Sequence, residues 1–342
     1  MSVTAVTYGL GGETLSPDEK AFFRDADPWG FTLFARNVDR GKQVRALTES
    51  LRDLLGRNVP VLIDQEGGRV QRCKPPTWRA APAAARFGEL WDREPELALE
   101  AVKLNHRLLG AELIALGVDV DYAPCADLSV PGAHDVIGDR AFHADPAAIA
   151  AMASAALEGL LDQGVLGVIK HLPGHGRAAA DSHHELPVVE TERGALEETD
   201  FAAFAGIQGA LMAMTAHMVY ADIDADDPAT HSSEVISTVI RGRIGFDGLL
   251  MTDDLSMKAL RGDLQSRGER ALKAGCDLLM HCNGELAEMV QVAHAAPVLD
   301  ARAAERAEAA LAARRPAAEL NFDDGVKRLD ALFTEAGLEP VS

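Results

Sequence analysis

The stretch GVIKHLPGHGRAAADSHH, residues 167–184, decides how the rest of the chain is interpreted. A short apolar run ends in Lys170 and His171, a Pro/Gly turn follows, and a polar loop then carries Asp181 and His183 two residues apart. Four histidines and one lysine fall within fifteen residues, although the whole chain has only 11 histidines. Loops held by a rigid scaffold commonly carry catalytic groups. The stretch therefore predicts a buried strand that opens into an active-site loop.

Seven further apolar runs of strand length lie along the chain, separated by amphipathic stretches. The eight runs are residues 5–10, 31–34, 59–64, 118–123, 165–171, 210–218, 248–253 and 277–281. Strands that alternate with helices predict a parallel sheet covered on both faces. Eight such strands favour a closed barrel over an open doubly wound sheet. Because no linker or composition break divides the 342 residues, we predict one α/β domain, a (β/α)8 TIM-type barrel over residues 1–342, with C-terminal helices at about 301–336.

Polar residues concentrate directly after these runs. In a (β/α)8 barrel the strand ends all reach the C-terminal rim, where such enzymes place their chemistry. We therefore expect one shared cleft for the polar groups after the runs, which are Arg36-Asn37, Asp64-Gln65-Glu66, Asp127, Lys170-His171, His217, Asp253-Asp254 and His281-Cys282-Asn283.

Composition excludes several classes of partner. The net charge of −20 would repel phosphates, so we expect neither nucleic acid nor an anionic membrane surface as a partner. No apolar run approaches the roughly 20 residues of a membrane span, and the N-terminus lacks the features of a signal peptide. The four widely spaced cysteines are interpreted as reduced thiols of a cytoplasmic protein.

Two pairs of residues could carry chemistry. Asp253 and Asp254 are adjacent at the end of a strand, so one could face the barrel mouth as a nucleophile or metal ligand while the other turns away to cap a helix. Asp181 and His183 could share a hydrogen bond that suits the imidazole to acid/base work. Histidines 171, 175, 183 and 184 are numerous enough to ligate zinc, but no dense metal-ligand spacing appears.

Taken together, four motifs resemble glycoside hydrolase family 3, and within it the single-domain bacterial β-N-acetylhexosaminidases of cell-wall recycling. The motifs are KHLPGHG at 170–176 with DSH at 181–183, DQEGGRVQR at 64–72, GDRAF at 138–142 and TDDLSM at 252–257. The resemblance extends from about residue 5 to 335 in the right order. It implies a retaining β-glycosidase on a (β/α)8 barrel. We expect no cofactor, and the ligand spacing argues against a metal.

The resemblance also implies roles for individual residues. Asp253 matches the family's nucleophile, and His183 matches an acid/base oriented by Asp181, where most glycosidases use a second carboxylate. The implied substrate is a muropeptide in which N-acetylglucosamine is β-1,4 linked to 1,6-anhydro-N-acetylmuramic acid. Separately, we expect the protein to be a monomer. The residues that match the family's N-acetylglucosamine-binding positions are Asp64, Arg72, Arg140, Lys170 and His171.

The chain departs from the family pattern in two places. Leu172 stands where Phe is usual, and Arg177-Ala178 replaces an Asp-Thr type pair. Four alternatives stay open: a phosphorylase of the same family, which Arg177 would favour by adding positive charge, a broader β-glucosidase, a non-catalytic sugar-binding barrel and a metal-dependent hydrolase.

Overall fold

The computed structural model describes residues 3–178, 182 and 185–341, and eight parallel strands form a closed barrel at its centre. Each strand pairs with its neighbours in sequence, and the first strand closes the ring against the last, with Val6 opposite Leu279. The predicted (β/α)8 fold is confirmed, and each of the eight apolar runs overlaps a barrel strand. The single-domain extent of 1–342 stays a prediction. The strands are β1 Thr4–Gly9, β2 Pro28–Leu33, β3 Val61–Ile63, β4 Val120–Asp121, β5 Leu166–Leu172, β6 Met212–Thr215, β7 Leu249–Asp254 and β8 Leu278–His281.

Side chains of β5 alternate between the barrel interior and the surrounding helices, as the two-residue period of a strand requires. Leu166 and Val168 join an inner cluster with residues of β6, β7 and β8, whereas Ile169 packs in the outer core. Lys170 continues the inward direction, and its ammonium lies 6.0 Å from the ring centre of Tyr122, a member of the inner cluster. The alternation therefore brings a buried lysine to the mouth of the barrel.

Helices surround the barrel, and several begin where the sequence places a cap. Ser16 and Glu19 form a capping box at the first helix, and Asp145 accepts a hydrogen bond from the Ala148 N–H at the fifth. The helices are α1 Pro17–Ala26, α2 Gly41–Leu55, α3 Ala84–Trp91, α4 Pro95–Ala115, α5 Pro146–Leu161, α6 Arg193–Glu198, α7 Asp200–Ala205, α8 Leu264–Ala274, α9 Leu286–Ala295, α10 Ala301–Ala312 and α11 Phe322–Glu335, with a π-helix at Val235–Arg243. Within the described residues, no helix combines the length and hydrophobicity needed to cross a bilayer.

A small antiparallel hairpin follows β3 and shapes one side of the barrel mouth. Its strands are Gln65–Gly67 and Val70–Gln71. Gly67 and Gly68 have φ angles of 104° and 52°, which glycine adopts without steric cost. The hairpin brings Glu66 and the residue after its second strand, Arg72, towards the carboxyl ends of β3 and β5.

Candidate active site

A cleft of about 160 Å³ lies at the C-terminal rim of the barrel, as the sequence predicts. Strands β2 to β8, or the residues directly after them, all contribute to its wall. The lining residues are Phe34, Asp64, Val70, Arg72, Tyr122, Arg140, Lys170, His171, Met214, Asp253, Asp254, Met257, Met280 and Cys282. Six of the predicted site residues therefore share one cleft: the five predicted sugar-binding residues and Asp253.

A row of alternating charges forms one side of the cleft. Arg72 Nη2 lies 2.8 Å from Asp64 Oδ2, and Asp64 Oδ1 lies 2.8 Å from Lys170 Nζ. Lys170 Nζ also lies 2.6 Å from Glu66 Oε1. Arg140 holds Glu66 through two hydrogen bonds, of 2.8 and 2.9 Å. The row thus runs Arg72, Asp64, Lys170, Glu66, Arg140, and each charge lies beside at least one of opposite sign.

Glu66 is the member of this row that was not among the predicted sugar-binding residues, although the sequence places it among the polar groups after the strands. Nothing in the local sequence shows that it joins two cations. Its side chain is 8% exposed, and that of Lys170 is 2% exposed. A buried charge is tolerated when it is paired. Glu66 therefore compensates the buried charges of Lys170 and Arg140.

The row keeps its carboxylates ionised despite burial. Burial alone would raise the pKa of Asp64, but the charges of Lys170 and Arg72 hold it well below its usual range. For Glu66, burial is likewise outweighed by Arg140 and Lys170, which bring its pKa to about 2. Beneath the row, burial raises the pKa of Asp121 to about 8, so this third carboxyl is mostly protonated at neutral pH. The row therefore offers fixed donors and acceptors rather than mobile charges.

His171 is oriented by Asp127, a second residue that was not among the predicted site residues. Nδ1 of His171 lies 2.7 Å from Asp127 Oδ2, and the His171 N–H also donates to this carboxylate, at 3.2 Å. Both side chains are buried. Although burial opposes ionisation, the contacts with His171 and His175 hold the pKa of Asp127 well below its usual range. Nε2 of His171 is thus the ring nitrogen that is not committed to Asp127.

Asp253 and Asp254 lie at the end of β7, and Asp254 is held by several hydrogen bonds. Asp254 accepts hydrogen bonds from the Ser256 N–H at 3.0 Å, the Ser256 hydroxyl at 2.6 Å and the Cys282 N–H at 3.2 Å. It therefore caps the turn after β7. One of the two carboxylates thus acts as a cap, as expected. However, both residues line the cleft, so neither is directed wholly away from it.

Asp181 and His183, the predicted acid/base pair, lie outside the described residues. Ser182 between them is described, and it is buried. Its Oγ lies 3.1 Å from Nε2 of His175. Its carbonyl accepts a hydrogen bond of 3.3 Å from the N–H of Ala259, which follows β7. Residue 182 is thus held near the segment that carries Asp253.

Among the described residues, Cys125, Asp127 and His171 bring potential metal-ligand atoms within 4.8 Å of one another. However, Asp127 already accepts hydrogen bonds from the Cys125 thiol and from His171. Burial also raises the pKa of Cys125 well above its usual value, whereas metals bind the thiolate. We therefore interpret the three side chains as a hydrogen-bond network.

Comparisons with known proteins agree with this geometry. The glycosyl hydrolase family 3 N terminal domain matches residues 15–315. A beta-hexosaminidase from Bordetella avium (strain 197N) is 38% identical over 282 residues, which are 81% of this chain and 80% of that protein.

Solved structures give the same result. Native NagZ from Neisseria gonorrhoeae matches with a TM-score of 0.86 at 30% identity, over 97% of this chain and 98% of that chain. NagZ from the same organism in complex with N-trifluoroacetyl-D-glucosamine matches with a TM-score of 0.81 at 29% identity, over 97% and 98%. The chain therefore belongs to glycoside hydrolase family 3, and it is a glycosidase of the β-N-acetylhexosaminidase type.

Proposed function

We propose that the protein is a retaining exo-β-N-acetylglucosaminidase that removes terminal N-acetylglucosamine from muropeptides during peptidoglycan recycling. The substrate is N-acetylglucosamine β-1,4 linked to 1,6-anhydro-N-acetylmuramic acid that carries a peptide. The enzyme acts in the cytoplasm as a monomer. Four buried free thiols support that compartment. The complex of Neisseria gonorrhoeae NagZ with N-trifluoroacetyl-D-glucosamine supports a 2-acylamino sugar as the group that is bound.

The observation that carries this proposal is the charged row beside Asp253 in a small cleft. Pockets for drug-sized ligands measure roughly 300–1,000 Å³, whereas this one measures about 160 Å³. A single sugar unit fits a volume of this size better than a polymer segment does. The size of the cleft therefore supports exo cleavage of one terminal sugar.

The charged row suits a neutral sugar. Asp64, Glu66 and Lys170 are already paired with one another. Their orientations are therefore fixed, and their charges are compensated without a charged ligand. Carboxylate oxygens accept from sugar hydroxyls, and the arginine and lysine N–H groups donate to hydroxyl or acetamido oxygens. His171 adds Nε2, because Nδ1 is engaged with Asp127.

The reaction proceeds by double displacement. The Asp253 carboxylate attacks the anomeric carbon while the glycosidic C–O bond breaks, and His183 gives its proton to the departing oxygen. His183, oriented by Asp181, then takes a proton from water. That water attacks the glycosyl-enzyme ester, frees Asp253 and releases the sugar with its β configuration retained.

The surroundings of Arg177 weigh against a phosphorylase. Its Nε lies 2.6 Å from Asp200 Oδ2, and its Nη2 donates to the Thr199 hydroxyl at 2.9 Å. Asp200 is buried and compensates the arginine charge. Arg177 is therefore engaged with α7 and does not supply uncompensated positive charge to an incoming phosphate.

Labelling of the nucleophile tests the proposal. A 5-fluoro N-acetylglucosaminyl fluoride should trap a glycosyl-enzyme, and peptide mass spectrometry should find the adduct on Asp253. NMR should show the β anomer as the first product, and nitrophenyl N-acetylglucosaminide should be preferred over nitrophenyl glucoside. Activity should survive EDTA. An adduct on another residue, or an α anomer formed first, would contradict the mechanism.

A further inference from the structure

Asp127 collects hydrogen bonds from two parts of the 170–176 motif. Besides the ring and backbone of His171, the N–H of His175 donates to Asp127 Oδ1 at 2.6 Å. Asp127 is fully buried. Such charge-assisted bonds are short and stronger than neutral ones. One carboxylate therefore fixes both the sugar-binding histidine and the turn that follows it.

His175 carries this connection onward to residue 182. Burial lowers the pKa of His175 to about 4, so its ring is neutral at pH 7. Nε2 lies 3.1 Å from the Ser182 Oγ, whereas Nδ1 has no hydrogen-bond partner among the described residues. The contact with Ser182 is thus the only side-chain hydrogen bond of His175 in the described part of the chain.

Ser182 is held from a second side as well. Its carbonyl accepts from the Ala259 N–H, so the residue lies between the 170–176 turn and the segment after Asp253. Neither contact involves a solvent-exposed group.

We infer that Asp127 and His175 are positioning residues that fix Ser182 through its hydroxyl, and thereby tie the segment of the acid/base to the carboxylate that orients the sugar-binding His171. The inference rests on the proposed function, in which the neighbours of Ser182, Asp181 and His183, transfer the proton. A small displacement of a catalytic group is enough to slow a reaction strongly. The hydroxyl of Ser182 should therefore affect proton transfer more than sugar binding.

The test compares S182A and H175L on two N-acetylglucosaminides, one with 2,4-dinitrophenol and one with phenol as leaving group. Dinitrophenolate leaves without a proton, so only cleavage of the phenyl substrate depends on proton transfer to the leaving oxygen. A net hydrogen bond of ordinary strength corresponds to roughly 2- to 12-fold in rate, so kcat/KM for the phenyl substrate should fall by that factor. For the dinitrophenyl substrate it should change by less than about 2-fold. Because both variants break one contact, the double variant should lose no more than either single variant.

S182T and H175Q keep a hydrogen-bonding group and should recover part of the loss. S50A, which removes a hydroxyl bonded to the Leu47 carbonyl in α2, should leave both substrates unaffected. Equal losses on both substrates, or additive effects in the double variant, would overturn the inference. If H175L does not fold, the S182A and S182T pair still decides the outcome.

Failure of the proposed function looks different. H183A should keep kcat/KM for the dinitrophenyl substrate and lose it for the phenyl substrate. If the wild-type protein cleaves neither substrate, or H183A loses both equally, the proposed function fails. If the wild-type protein and H183A behave as expected but S182A and H175L show no dependence on the leaving group, only the inference fails.

Discussion

Replacing Glu66 by glutamine removes the negative charge between Lys170 and Arg140 and nearly preserves the shape of the side chain. Glu66 then no longer neutralises Lys170 and Arg140, whose side chains are 2% and 12% exposed. Folding lowers the pKa of Glu66 from 4.5 to about 2, and each unit corresponds to about 1.4 kcal/mol. The ionised carboxylate therefore stabilises the fold by about 3 kcal/mol. Removing one partner of a buried ion pair costs about 3–5 kcal/mol, so the two magnitudes agree.

Urea denaturation at pH 7 measures the effect. The midpoint for E66Q should fall, with an unchanged dependence on urea and a free energy of unfolding lower by about 3 kcal/mol. The pH dependence has a definite sign, because the folded-state pKa is depressed. The contribution of Glu66 is complete above its unfolded pKa of 4.5 and is lost as the pH falls to about 2. The difference between the wild-type protein and E66Q should therefore shrink over that window.

The matched control is E49Q, because Glu49 pairs with Arg45 at 2.6 Å while both side chains are about half exposed. Exposed pairs contribute roughly 0–1 kcal/mol, so E49Q should resemble the wild-type protein at every pH. If the free energy of unfolding of E66Q at pH 7 is within about 0.5 kcal/mol of the wild-type value, Lys170 and Arg140 do not need the Glu66 carboxylate, and the reasoning is refuted.

Three further outcomes are expected. D253N should lower kcat/KM on nitrophenyl N-acetylglucosaminide by roughly 10³-fold or more while the circular dichroism spectrum stays unchanged; retained activity would remove the nucleophile from this position. D127N keeps the side-chain volume but can place an N–H donor where His171 and His175 donate. KM should therefore rise, and kcat/KM should fall by roughly 10-fold. An unchanged KM would show that His171 needs no orienting partner. The four free cysteines are buried, and burial raises the pKa of Cys276. A thiol reagent should therefore label the native protein slowly and should reach all four thiols only after unfolding. Rapid labelling of the native protein would contradict the packing.

The barrel was predictable because its signals are local. Each strand is an apolar run of a few residues. Ser16 and Glu19 indicate the start of a helix within four positions. The helix Ala84–Trp91 has a weaker local signal, because it is short and lies in a Pro- and Ala-rich stretch.

The site was predictable only in part, because its contacts join distant positions. Lys170 and Asp64 are 106 residues apart, and Arg140 and Glu66 are 74 apart. The family resemblance names residues that grip the sugar, but the sequence alone does not show that Glu66 completes their charges. Asp127 was noticed at a strand end, yet its role depends on His171, 44 residues away. Such pairings are decided by the closure of the barrel and not by neighbours in the chain.

The alternation of sign along Arg72, Asp64, Lys170, Glu66 and Arg140 has a consequence for natural variation. A single substitution that changes a charge removes one partner from at least one neighbour in the row and shifts the balance of buried charge, which is destabilising. Changes on this side of the cleft should therefore be best tolerated when two adjacent members of the row are exchanged together. In a set of homologous sequences, positions 64, 66, 72, 140 and 170 should be either invariant or correlated in pairs that follow the order of the row.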